Sequence, residues 1–205
     1  MTKPFVRVLA AIALALGAHS ATAFAQTRAI EVPPVPAAIE PPAGHEAFVK
    51  GYAIGTQNYL CVQTNSGYQW RFIGPQATLF FKPGSEILDQ IATHFLSVNP
   101  EDGVARATWQ DSVDTSRVWA RALTSSNDPA YVEDGAIPWL LLETVGTGVG
   151  PTGGSFLAQT TFIQRLNTSG GLAPTTGCGK RAEIGGMVLV PYTADYFFYR
   201  AEGNE

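Results

Sequence analysis

The sequence predicts a single-domain, mainly β protein, an antiparallel β-sandwich or barrel with at most one short helix. Three observations carry that prediction. Apolar runs of strand length recur from Phe48 to Arg200, and clusters of Gly, Pro, Asn and Asp bound them. About 160 of the 205 residues remain for folding once an N-terminal leader and a Pro-rich stretch are set aside, which suits one domain.

The order of elements follows from these signals. Lys3 and Arg7 precede an apolar run from Val8 to Ala18 and then Ala23-Phe24-Ala25, the pattern of a secretory signal peptide over residues 1–25. Residues 26–46 read as an extended tether, because Pro33, Pro34, Pro36, Pro41 and Pro42 remove backbone donors and disfavour packing. The β domain then occupies residues 47–205. Phe48 to Ala53, Gln57 to Thr64 and Tyr68 to Ile73 are strand candidates, parted by Gly55 and by the hairpin signal Asn65-Ser66-Gly67. Ser85 to Leu96 takes the one short helix, since Ile87, Leu88, Ile91 and Phe95 recur at helical spacing, although Thr93 to Val98 would equally open a strand.

Asn99-Pro100-Glu101-Asp102-Gly103 is turn chemistry between His94 to Val98 and Val104 to Gln110, and Arg117 to Leu123 is the next strand. Ile137 to Leu142 is almost unbroken apolar and predicts a strand buried on both faces. Phe156 to Leu166 and Met187 to Arg200 bring the set to eight or nine strands.

Charge and cysteine content narrow the setting. The leader holds two of the 13 basic residues and none of the 17 acidic ones, so the remainder has 11 against 17, a balance of −6. Such a chain is a poor match for nucleic acid. No stretch after the leader reaches the roughly 20 apolar residues of a spanning helix, so stable membrane insertion is not expected. Cys61 and Cys178 predict a disulfide in a secreted or periplasmic protein; the rival, a metal or redox pair, lacks CxxC spacing and nearby His ligands.

Four stretches together resemble a family of exported bacterial and fungal proteins classed as a domain of unknown function. They are Gly55-Thr56-Gln57-Asn58-Tyr59-Leu60-Cys61, Ile137 to Leu142, Ile163 to Gly171 continuing to Pro174 and Cys178, and Tyr192 to Tyr199. The family also carries a His-aromatic pair, Gly-Pro-Thr-Trp and Asp-Gly-Ser. Here His94-Phe95 and Thr108-Trp109 stand, but Arg106-Ala107 replaces Gly-Pro and Asp114-Thr115-Ser116 replaces Asp-Gly-Ser. What the resemblance implies is an exported domain without an established activity.

Some members of that family carry dehydrogenase labels, and Gly148 to Gly153 does satisfy GxGxxG. No crossover helix follows it, so the stretch is a Gly-rich loop between strands and no cofactor is expected. His45 and His94 are the histidines beyond the leader and no Ser sits in GxSxG, which leaves no triad and no transition-metal ligand set. Glu101, Asp102, Asp111 and Asp114 offer oxygen ligands for Ca²⁺ but read more simply as solvated turn acids.

The ligand-binding candidates are Gln57, Tyr59, His94, Trp109, Trp119, Arg165, Asn167 and Asp195. Asp195 and Arg165 interrupt apolar strands, and burying either charge alone is costly, so the two are expected to neutralise one another as a register clamp or as the polar floor of a pocket. Gln57, Arg165's neighbour Gln164, and Asn167 would complete that network. Trp139 reads as core, whereas Trp109 and Trp119 are expected on an exposed aromatic face able to meet a glycan or another cell-envelope component. The reading is a non-catalytic binding or interaction module. Its alternatives are an enzyme of cell-surface polymers using Asp111 or Asp195, and a structural or stress-related surface protein.

Overall fold

A computed structural model describes residues 30–203; the leader expected over residues 1–25 lies outside them. Eight strands run antiparallel in chain order: β1 (His45–Thr64), β2 (Gly67–Phe80), β3 (Gln90–Val98), β4 (Ala105–Asp111), β5 (Arg117–Ser126), β6 (Trp139–Gly148), β7 (Phe162–Gly170) and β8 (Met187–Ala201). Each pairs with the next and β8 returns to β1, so of the two architectures the sequence allowed the protein adopts the closed barrel. Closure pairs the edges that an open sheet would expose.

The first two strand candidates are one strand. Gly55 does not interrupt it, because it pairs with Ala77 on β2 and Tyr192 on β8, and a Cβ there would overlap the Gln76 carbonyl and Ala77. This glycine marks a close approach of backbones rather than a turn. The Asn65-Ser66 hairpin forms as expected, with Thr64 opposite Gly67. β3 pairs with β2 only from Ala77 to Phe80, so the earlier part of β2 leaves the barrel wall. Together with the end of β1 and the start of β8 it forms a three-stranded ribbon. Cys61 and Cys178, Cα atoms 5.4 Å apart, form the expected disulfide and tie this ribbon to the loop between β7 and β8.

The short helix expected over Ser85 to Leu96 is absent, and the segment is a loop followed by β3. Ile87 and Leu88, two of the four residues of the apparent helical stripe, are exposed and would have nothing to pack against. The competing strand pattern wins because β3 must bond β2 on one side and β4 on the other to close the barrel. Phe156 to Leu166 is likewise not one strand. Phe156–Gln159 forms a 3₁₀ turn, since the Phe156 and Leu157 amides donate to Asp114 Oδ2 (2.8 Å) and Ser116 Oγ (2.9 Å), and β7 starts at Phe162.

Two apolar clusters share the sheet. Ala53, Leu79, Trp109, Val118, Leu142, Ile163, Tyr196 and Phe198 fill the interior. Outside, Ile39 packs with Trp139, Leu141, Leu166, Phe197 and Tyr199. Residues 32–44 therefore do pack, contrary to the free tether their composition predicts. They stay extended around a 3₁₀ turn at Ala37–Ile39, and Gln164 fastens them by donating Nε2–H to the Ile39 carbonyl (2.6 Å) while accepting at Oε1 from the Tyr199 hydroxyl (2.5 Å). This strap explains why β6 is buried on both faces: Leu140 and Leu142 serve the interior, Trp139 and Leu141 the strap.

Candidate functional site

The barrel interior is divided by an aromatic layer. His94 on β3 stacks on Trp109 of β4, and Tyr196 of β8 closes edge-on at 5.2 Å from the imidazole and 5.4 Å from the indole. Above this layer, toward the ribbon, lies a cavity of about 290 Å³ whose walls include Gln57, Phe72, Leu96, Leu140, Leu142 and Arg165. Phe72, Leu96 and Arg121 are exposed at its mouth, where β2 and β3 diverge. Below the layer, the opposite end of the barrel holds a larger, mainly apolar hollow of about 920 Å³ between Phe48, Phe81, Ile91 and Phe156.

Alternation along the strands decides which candidates reach the cavity. On β8, Tyr192, Ala194, Tyr196 and Phe198 point inward, which turns Asp195 outward with Phe197. Arg165 sits opposite Tyr196, one position from the Leu166–Asp195 pair, and points inward. The expected Arg165–Asp195 ion pair is therefore not formed: neighbours in register project to opposite faces. Asp195 instead pairs with Lys50 (3.0 Å) and accepts from Asn167 Nδ2 (2.9 Å) on the outer surface. Arg165 donates from Nε (3.2 Å) and Nη2 (2.7 Å) to the Pro138 carbonyl.

The four stretches that carry the family resemblance meet here. Thr168 Oγ1 donates to Ile137 O (2.6 Å) beside the Arg165–Pro138 contact, Tyr59 donates its hydroxyl to Gly171 O (2.7 Å), and the Tyr192 and Tyr196 hydroxyls lie 3.3 Å apart. Gln57 adjoins the Tyr192 hydroxyl and Arg165 adjoins that of Tyr196. Burial raises the pKa of Tyr59, Tyr192 and Tyr196, so these phenols remain protonated donors. Burial also pushes His94 down to about 3. Its Nδ1–H donates to Thr108 O (2.9 Å), which fixes the Nδ1–H tautomer of an imidazole that burial keeps neutral.

Two buried donors in the cavity lining have no partner among the described residues: Gln57 Nε2 and Trp109 Nε1. An unpaired buried donor is costly, about 1–3 kcal/mol, and native structures keep few of them.

Of the eight candidates, Gln57, His94, Trp109 and Arg165 line this cavity and Tyr59 borders its charge; Trp119, Asn167 and Asp195 lie elsewhere. Trp109 and Trp119 do not form an exposed aromatic face, for both are buried, and Trp119 donates Nε1–H to Ser97 Oγ (2.8 Å) while packing against Gly148. Of the acids weighed for catalysis or Ca²⁺, Asp102, Asp111 and Asp114 serve the backbone. Asp111 Oδ1 accepts from Val113 and Asp114 N–H, and Asp102 accepts from Val104 N–H and from Arg106. Asp111, at the end of β4, does not face Asp195. No group of three or more His, Cys, Asp or Glu suited to a metal occurs among the described residues.

Sequence reasoning missed Tyr192 and Tyr196, which the inward parity they share with Ala194 would have found. It had no means of finding the Pro138 carbonyl, a backbone group. No match to the chain was found among curated proteins or among solved structures. The model of one family matches residues 42–200, the whole barrel wall, and by that match the chain belongs to the family described as Protein of unknown function (DUF3455).

Proposed function

We propose that this protein is an exported, non-catalytic module that binds one small molecule inside the ribbon end of its barrel. The observation that carries the reading is the pair of orphaned donors, Gln57 Nε2 and Trp109 Nε1, in the lining of a cavity that also contains Arg165. A hydrogen-bonding guest would satisfy them. The cavity's volume, near the lower end of the usual range for ligand pockets, favours a single small molecule over a polymer. The Cys61–Cys178 disulfide supports a life in an oxidising compartment, secreted or periplasmic.

A fragment library screened by ligand-observed NMR against the disulfide-bonded protein tests this. Bound fragments are expected, and Ala107→Leu, which fills the mouth of the cavity, is expected to displace them. Finding no fragment bound, or finding binding unaffected by Ala107→Leu in a folded variant, overturns the reading.

A further inference from the structure

Resting on that reading, we propose that the cavity takes an organic carboxylate with a compact apolar body, its carboxylate held by Arg165.

The charge inventory of the cavity points this way. Three arginines line it. Arg106 is paired with Asp102 and Arg121 with Glu143, whereas Arg165 meets only the Pro138 carbonyl and the Tyr196 hydroxyl among the described residues. Arg165 is half-buried, so its guanidinium is partly desolvated yet reachable from the cavity, and a bound anion would give it the counter-ion it lacks among the described residues. The Pro138 contact uses the Nε and Nη2 nitrogens, so further N–H donors of the five remain for a carboxylate.

The neutral groups agree with the charge. Both orphaned groups, Gln57 Nε2 and Trp109 Nε1, are donors. An ionised carboxylate is acceptor-only and complements a donor set, whereas an alcohol or amide would bring donors of its own. Among the described residues, Arg165 is the charged side chain beside the aromatic layer, opposite Tyr196, and a monoanion balances it. The remaining wall, Phe72, Leu96, Leu140 and Leu142, is apolar and matches a hydrocarbon body rather than an inorganic anion.

Calorimetric titration of the disulfide-bonded protein at neutral pH, with benzoate and hexanoate against benzamide, benzyl alcohol and inorganic phosphate, tests the assignment. The two carboxylates are expected to bind at least about tenfold more tightly than the other probes, and Arg165→Gln to weaken them by about ten- to a hundredfold. Should Arg165→Gln fail to fold, Gln57→Glu replaces it: this variant carries its own carboxylate into the cavity and is expected to exclude benzoate while keeping or raising the thermal midpoint. Neutral probes binding as tightly as benzoate would overturn the carboxylate and leave the cavity itself a binding site. Phosphate binding as tightly as benzoate would overturn the apolar body. If no probe binds while fragments of other chemistry do, the inference falls and the binding module stands; if fragments fail too, both fall.

Discussion

The imidazole of His94 stacks on the indole of Trp109, their centroids 4.1 Å apart and their planes 8° from parallel. A residue that titrates near neutrality elsewhere is here a packing element in the middle of a barrel. Burial is the main cause of its depressed pKa, with the positive charge of Arg165 acting in the same direction.

That burial sets a pH dependence. Folding takes His94 from 6.5 to about 3, so between these values the unfolded chain binds a proton that the folded chain refuses. Stability is then full above the upper value and falls as pH drops below it, by about 1.4 kcal/mol per pH unit. Urea unfolding between about pH 7 and 5, above the range where most carboxylates titrate, isolates the effect. His94→Gln is expected to flatten the slope; an unchanged slope in that variant would show another group responsible.

The disulfide closes a span of 117 residues. In the chain-entropy model a loop of this length contributes roughly 4–5 kcal/mol. Replacing both cysteines, Cys61→Ala with Cys178→Ala, should lower the calorimetric midpoint strongly. A shift of under a degree would mean that the unfolded chain gains little freedom when the bridge is removed.

Tyr199→Phe should loosen the strap. It leaves Gln164 Oε1 without its donor in a side chain that is fully buried, at an expected loss of about 1–3 kcal/mol. Faster amide exchange concentrated in residues 36–40 is the accompanying sign. Exchange that rises evenly through the barrel would contradict a local clamp.

Thr115 occupies left-handed backbone at φ 61°, and its buried hydroxyl has no partner among the described residues. The resemblance to an Asp-Gly-Ser pattern implies Gly at this position. Thr115→Gly removes both penalties while adding unfolded-state entropy, and a net gain of about 1 kcal/mol is expected in chemical denaturation. A loss would indicate that the Thr115 methyl contributes packing that exceeds the strain.

Legibility from the sequence varied with the range of the deciding interaction. The hairpin at Asn65-Ser66, the burial of Trp139 and the strand pattern of Met187 to Arg200 are local, and each held. Ser85 to Leu96 failed because its periodicity fits two structures and the partners β2 and β4 chose between them. The Pro-rich segment failed for a different reason. Proline prevents strand pairing but not packing, and Ile39 needed only an apolar surface, which Trp139, Leu141 and Phe197 supply from strands distant in sequence.

Composition and short-range pattern by themselves pointed to a disulfide-linked, mainly β domain, and singled out eight residues to explain, of which Gln57, His94, Trp109 and Arg165 line the cavity. Only the tertiary structure decided between sandwich and barrel, sent Arg165 inward and Asp195 outward, and buried the aromatics expected on the surface. The physical reason is the two-residue period of a strand. One step of register moves a side chain from the interior to solvent, and that register is set by hydrogen bonds between β7 and β8 that no single segment contains.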